Sequence, residues 1–268
     1  MEKYKLIVFD LDGTLLSDDF ILSDITIQSV EELKKMGLRV TVATGRGFFS
    51  AKPFLEKLNI TEPMVFSNGA VYDDPDTGFR EIISGIALET ALILLMLISD
   101  FEVSLKIHLA DGTIYKTDET PWPNEGAHFP TGETEPDLKS KLTQDPIKIV
   151  IHGKHDQMDQ FVQKATEILG KNNNARFFKS NPDYYEVSNK NVSKGGALLK
   201  LVQKIGILPE NVITVGDQEN DFEMLRDFGL GIMVGENSEK IKDVTKFKVP
   251  SPEKNGIREL VKIVKELI

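Results

Sequence analysis

Strands alternating with helices, and buried apolar runs ending in polar residues, predict an α/β fold: a doubly wound, Rossmann-like parallel sheet carrying an inserted α+β domain. Three runs carry that expectation: "KLIVFD" at 5–10, "LRVTVA" at 38–43 and "NVITVGD" at 211–217. Each is rich in β-branched residues and apolar on both faces, as a strand covered by helices on both sides must be. "PMVFSN" at 63–68 and "LGIMV" at 230–234 read as a fourth and a fifth strand.

Helical patterns lie between them. Residues 23–36 open on Ser23, whose hydroxyl can cap free backbone N–H groups, and close before Gly37. Residues 194–205 follow Ser193 and stop at Gly206 in the same way. "ALILLMLI" at 91–98 is the longest apolar run, far below the ~20 residues that span a bilayer, and reads as a buried helix.

The middle of the chain has another texture. "VYDDPDTGFREI" at 71–82 and "VSLKIHLADGTIYKT" at 103–117 read as hairpins, "PIKIVIHG" at 146–153 as a strand and 158–169 as a helix. "ARFFKS" and "DYYEVS" follow as strands, split by Asn181-Pro182. Residues 118–136, rich in Pro, Gly and acids, read as an irregular loop. The expected division is a core of residues 1–82 and 189–268, with an α/β insert at 83–188.

Composition excludes several function classes. The formal net charge is −10 and no Lys/Arg cluster offers a phosphate-backbone footprint, so no nucleic-acid partner is indicated. Cysteine is absent, which removes disulfides, zinc–thiolate sites and Cys nucleophiles. The first strand leaves no room for a signal peptide before it, and a cytoplasmic location with no membrane or protein partner is expected. His108, His128, His152 and His155 show no metal-ligand spacing and read as structural or solvated, and Trp122 reads as packing.

The chemistry concentrates at three strand ends. The first gives Asp10 and Asp12, the second Thr44-Gly45-Arg46, the third Gly216-Asp217 with Asn220-Asp221. In an open parallel sheet the ligand crevice lies at the carboxyl ends of the strands, so these groups are expected to converge there, joined by Lys194 at a helix start. Four carboxylates in one crevice need a cation, and an all-oxygen donor set favours Mg²⁺. Thr44, neighbouring backbone N–H groups and Lys194 are suited to holding a phosphoryl group. Asp10 is suited to nucleophilic attack and Asp12, two residues on and on the same side of an extended chain, to proton transfer.

In this order the motifs resemble the haloacid dehalogenase (HAD) superfamily, in its Cof-type phosphatase branch. "DLDGT" at 10–14 is similar to the first motif, Thr44 of "ATGR" to the second, Lys194 of "SKGGAL" to the third and "GDQEND" at 216–221 to the fourth. "SNGA" at 67–70 also resembles that branch, and the insert resembles its cap. The resemblance implies a Mg²⁺-dependent phosphohydrolase of small phosphorylated metabolites, sugar phosphates foremost, acting through an aspartyl-phosphate. It implies Asp10 as nucleophile and metal ligand, Asp12 as general acid/base with its carbonyl on the metal, Asp217 as a direct ligand and Asp221 as its support. Leu11 N–H, Thr44, Gly45, Lys194 and Asn220 would bind phosphate, with Arg46 and Asn68 as secondary substrate contacts. The cap would close over the substrate and set specificity. Gln218, where the family usually has a small residue, is expected to crowd the metal loop, and "IMVGEN" at 232–237 to alter the backbone there. A sugar phosphomutase or phosphotransferase shares the first step, and a phospho-aspartate switch shares the residue types.

Overall fold

The computed structural model describes residues 3–75, 77–123, 125–126, 130–171, 173–181, 183–236 and 239–268. The chain opens with β1 (Leu6–Phe9), α1 (Asp24–Lys35), β2 (Arg39–Val42), α2 (Phe48–Lys57), β3 (Met64–Phe66), β4 (Val71–Asp74) and β5 (Phe79–Ile82). It continues through α3 (Leu88–Leu97), β6 (Val103–His108), β7 (Ile114–Lys116), β8 (Glu133–Thr134), α4 (Leu138–Lys141), β9 (Lys148–Gly153), α5 (His155–Leu169), β10 (Ala175–Asn181) and β11 (Tyr184–Asn189). It ends with α6 (Lys194–Lys204), β12 (Val212–Gly216), α7 (Phe222–Arg226), β13 (Leu230–Val234), α8 (Glu239–Lys242), β14 (Phe247–Val249) and α9 (Gly256–Lys265). Two compact units result, residues 1–81 with 193–268 and residues 82–192.

The first unit is built on a parallel sheet of order β14-β13-β12-β1-β2. All four residues of β1 and all five of β12 are buried, which explains why these strands read as unbroken apolar runs. From β1 the chain steps through α1 to β2, while from β12 it steps through α7 to β13, in the opposite direction across the sheet. Right-handed crossovers then place α1 and α7 on opposite faces. The order reverses between β1 and β12, and the crevice at such a reversal opens beyond the carboxyl ends of the strands. Asp10 and Asp217 are the first residues past those two ends.

α1 and α6 start where a serine side chain satisfies an orphan backbone donor. Ser23 accepts from Thr26 N–H at 3.1 Å at the head of α1, and Ser193 from Gly196 N–H at 3.1 Å at the head of α6. The second cap fixes where Lys194 begins its helix.

The strand expected at 63–68 is not a full member of the parallel sheet. Only Ala43 and Val65 bridge in parallel, and β3 otherwise pairs antiparallel with β4 in a small sheet of order β3-β4-β5. The cause is local. Ser67, Asn68 and Gly69 all have positive φ (51°, 55° and 102°), which folds the chain back on itself directly after Phe66.

The second unit is an antiparallel-rich sheet of order β10-β11-β9-β6-β7-β8. Its apolar face, with Leu105, Ile107, Ile149, Ile151 and Val187, packs with Leu94 of α3 and Met158 and Phe161 of α5. The run 91–98 is thus helix and core, and among the described residues no helix is long and apolar enough to cross a membrane. On the polar face Lys106 and Lys116 stand opposite one another and share Glu125, at 2.9 and 3.8 Å. Trp122 is buried there, stacked on Tyr184 with ring centroids 5.9 Å apart. The loop at 118–136 contains the short strand β8, and His128 lies outside the described residues.

Candidate active site

The site grows from the end of β1. Past Asp10, the carbonyl of Leu11 accepts from the N–H groups of Thr14, Leu15 and Leu16, so the chain turns at once out of the sheet. Gly13 makes that turn with φ +75°, and a Cβ there would lie 2.3 Å from Oδ2 of Asp217. Glycine is required on both counts. Thr14 then donates to Asp217 Oδ1 at 3.0 Å, tying the first strand end to the third.

Lys194 is the hub. Its Nζ lies 2.9 Å from Asp10 Oδ1 and 2.8 Å from Asp221 Oδ1, with all three side chains buried. The other oxygen of Asp221 accepts from the N–H groups of Asp217 and Gln218, at 3.0 and 3.1 Å. Asp221 thereby fixes both the lysine and the backbone that presents Asp217. Gly216 lets this happen, because a Cβ there would come within 2.5 Å of the Asp221 carboxyl carbon. The expected crowding by Gln218 does not occur: its side chain is exposed and turned outward to cap the helical turn at Glu219–Asp221. At 232–237, β13 runs regularly to Val234 and Gly235 turns with φ +68°, while Asn237 lies outside the described residues.

A second, neutral line of polar groups comes from the end of β2. Thr44 is fully buried, with its Oγ1 accepting from Arg46 N–H at 3.1 Å and its carbonyl accepting from Asn68 N–H at 3.0 Å. Gly45 lies against the Asn68 carboxamide, whose Oδ1 takes a 3.1 Å bond from Asn220 Nδ2. Asn68 therefore links the second and fourth motifs, and holds left-handed backbone to do so.

Electrostatics follow from this packing. Burial drives the Asp10 carboxyl well above its usual range; Lys194 opposes that shift, and Asp221, Asp217 and Asp12 add to it. Burial pulls the Lys194 ammonium down, yet Asp10 and Asp221 outweigh burial and hold it above its ordinary value. The lysine stays charged.

Asp10, Asp217 and Asp221 each offer an oxygen within 4.8 Å of the others. With all three buried carboxylates ionised, as a bound cation favours, one ammonium leaves two negative charges, the complement of one divalent ion. The donors are all oxygen, and Oδ1 of Asn220 is buried without a partner among the described residues. These residues fit a hard cation such as Mg²⁺. The Asp12 carboxylate lies outside that cluster. Arg46 holds it, with Nε at 3.0 and 2.9 Å from its two oxygens and Nη2 at 2.6 Å from Oδ1. Nothing in the spacing of "TGR" signalled that pairing.

The family model for haloacid dehalogenase-like hydrolases matches residues 7–261, from β1 into α9. The chain belongs to this family. Among its curated relatives, this hydrolase is 25% identical over 262 residues to the 5-amino-6-(5-phospho-D-ribitylamino)uracil phosphatase YitU of Bacillus subtilis, covering 97% of each chain. It is 28% identical over 233 residues to the HMP-PP phosphatase of an Enterobacter species, covering 86% of this chain and 84% of that one. Its fold matches the crystal structure of a haloacid dehalogenase-like hydrolase from Bacteroides thetaiotaomicron with a TM-score of 0.87 at 22% identity, over 98% of this chain and all of the other. The hydrolase thus has the Rossmann-like core with an inserted cap that its strand pattern predicted.

Proposed function

We propose that this hydrolase is a Mg²⁺-dependent phosphatase of small phosphorylated metabolites, with sugar phosphates as the leading substrate class. The observation that carries the reading is the buried constellation of Lys194 on Asp10 and Asp221 beside Asp217. The names of the curated relatives support it, since both are phosphatases, and one acts on a molecule whose phosphate sits on a ribityl chain.

Asp10, Asp217 and the Asp12 carbonyl would hold the metal, with Asp221 supporting it. The ion would balance the carboxylates and the charge of the phosphoryl group. The side chains account for the rest. Asp10 attacks phosphorus through a carboxylate oxygen and becomes the aspartyl-phosphate, while the alcohol leaves with a proton from Asp12. Water then cleaves the acyl-phosphate, with Asp12 taking its proton. Lys194, Thr44, Gly45, Asn220 and the Leu11 N–H would receive the phosphoryl oxygens, and Asn68 would hold Asn220 in place. Lys194 keeps Asp10 aligned and, being charged, favours its ionised, nucleophilic form. Substrate choice would reside in the inserted unit, residues 82–192.

A phosphatase screen over a metabolite panel with Mg²⁺, run beside Asp10→Asn, tests the reading. Release of inorganic phosphate by the native enzyme and its loss in the variant are expected. Full activity in the variant would remove Asp10 as nucleophile, and transfer to a sugar hydroxyl without phosphate release would replace hydrolysis by phosphotransfer.

A further inference from the structure

The polar face of the inserted sheet sets two buried ammonium groups on one carboxylate. Lys106 of β6 and Lys116 of β7 are partners across the ladder, with side chains only 6% and 9% exposed. Among the described residues, Glu125 is the one carboxylate ion-paired with either, at 2.9 Å from Lys106 and 3.8 Å from Lys116. Asp118 feels the charge of Lys116 but takes its hydrogen bonds from Ser104 and Thr120. Burial pulls the Lys106 ammonium down, Glu125 opposes that, and Lys116 adds to it. In a chain of net charge −10, two such lysines side by side are a local exception.

Beside them lies an unused donor. Trp122 is 7% exposed, and its Nε1–H is buried without a partner among the described residues. An N–H left so costs about 1–3 kcal/mol. The ring itself is held: Tyr184 stacks on it with planes 11° apart, and the Tyr184 hydroxyl donates to the Pro123 carbonyl at 2.8 Å. Packing thus accounts for the indole but not for its N–H. Lys106 Nζ lies 4.7 Å from the indole centre, so the ammonium and the N–H border one space. An oxyanion supplies the acceptors that these donors lack. We infer that this face of the inserted unit binds an oxyanion, a phosphate or a carboxylate, held by the charges of Lys106 and Lys116 and by the Trp122 N–H. Glu125 marks the place. Its Oε1 already takes Lys106, Lys116 and the Gly132 N–H, the last at 3.2 Å, as a ligand oxygen would. Glu125 is the internal anion that the ligand displaces. The oxyanion is either a free ion or a second acidic group on a larger ligand.

The chain has one tryptophan, so the indole N–H gives a single NMR signal that reports this site whether or not the phosphatase reading holds. Inorganic phosphate is added to the ¹⁵N-labelled full chain in EDTA, against chloride at matched ionic strength, and acetate is titrated in the same way. A saturable downfield shift is expected with at least one of the two. Lys106→Met should weaken the midpoint by at least ~10-fold, the loss of one hydrogen bond to a charged group. Glu125→Gln should tighten it severalfold, because the competing charge is gone, and a carboxylate with a merely structural role would not give that gain. No shift with either anion would overturn the inference, as would a shift unchanged in Lys106→Met or binding in Glu125→Gln no tighter than native. A sugar bisphosphate, titrated into Asp10→Asn so that it is not consumed, separates the two sources. Saturation at lower concentration than inorganic phosphate assigns the group to a larger ligand, and equal midpoints assign it to a free ion.

Discussion

The Nζ of Lys194 stands 2.9 Å from Oδ1 of Asp10, with both side chains shut away from solvent. The lysine begins α6 and the aspartate ends β1, so one contact locks two parts of the chain separated by the whole inserted unit. Three predictions follow from this contact and its surroundings, and a fourth from the inserted unit.

Removing the lysine leaves buried carboxylates facing one another without an internal cation. Lys194→Met is expected to destabilise the apo protein by about 3–5 kcal/mol, the scale for breaking a buried ion pair. Activity should fall by at least ~10²-fold. Thermal melts with EDTA and with Mg²⁺ check this. The metal should raise the midpoint of the variant more than that of the native protein, because it takes over part of the missing charge.

Gly13 admits no side chain. In Gly13→Ala the methyl group must displace the Asp217 carboxylate, which its Cβ would approach to 2.3 Å, and the backbone must hold φ +75° against its own preference. A folded protein whose Mg²⁺ affinity is at least ~10-fold weaker is expected from titration calorimetry. Native affinity would show that Asp217 moves without consequence.

Asn68 holds φ 55° while binding Asn220 at 3.1 Å. Asn68→Gly accepts that backbone and loses only the bond, so stability should stay within about 1 kcal/mol of native. Inhibition by inorganic phosphate should weaken by roughly tenfold, about the free energy of one hydrogen bond. Asn68→Ala should lose stability as well, because alanine resists the left-handed conformation.

His108 supplies the pH dependence. Burial, then the nearby Lys148 and Lys106, push its imidazole down from 6.5 to about 3. The unfolded chain takes up the proton near 6.5 and the folded one does not, so this contribution is complete above that pH. It is lost as pH falls toward 3, at up to about 1.4 kcal/mol per pH unit. Denaturant titrations from pH 7 to 4 should show a shallower loss in His108→Gln. Proton NMR of the imidazole should find it neutral at pH 5, and a transition near 6.5 would contradict the structure.

Sequence patterns exposed the parts of this molecule governed by period and position. Strands buried on both faces announce themselves as apolar runs, and Asp10, Thr44 and Asp217 follow such runs by one or two residues. Ser193 marked where α6 begins, and with it the place of Lys194. What stayed hidden depends on approach in space. Phe247 and Lys248 of β14 are exposed, so that strand carries no apolar signature, and 63–68 looked like a buried parallel strand until three left-handed residues reversed it. Arg46 meets Asp12 from another strand end, with the rings of Phe20 and Phe54 each 5.1 Å from its guanidinium carbon, and no local pattern announces that meeting. Gln218 looked oversized in a tight loop, yet capping carries its side chain away from Asp217.

The sheet order also bears on synthesis. β1 sits between β2 and β12, yet β12 is translated roughly 200 residues after β1. At the usual pace of a ribosome that gap lasts about 10–40 s. Throughout it, β1 has one edge unpaired and a wholly apolar strand lacking its neighbour, a surface that invites association with other nascent chains. The insert that splits the motifs is therefore also a delay line, one that holds open the assembly of the very strand that carries Asp10.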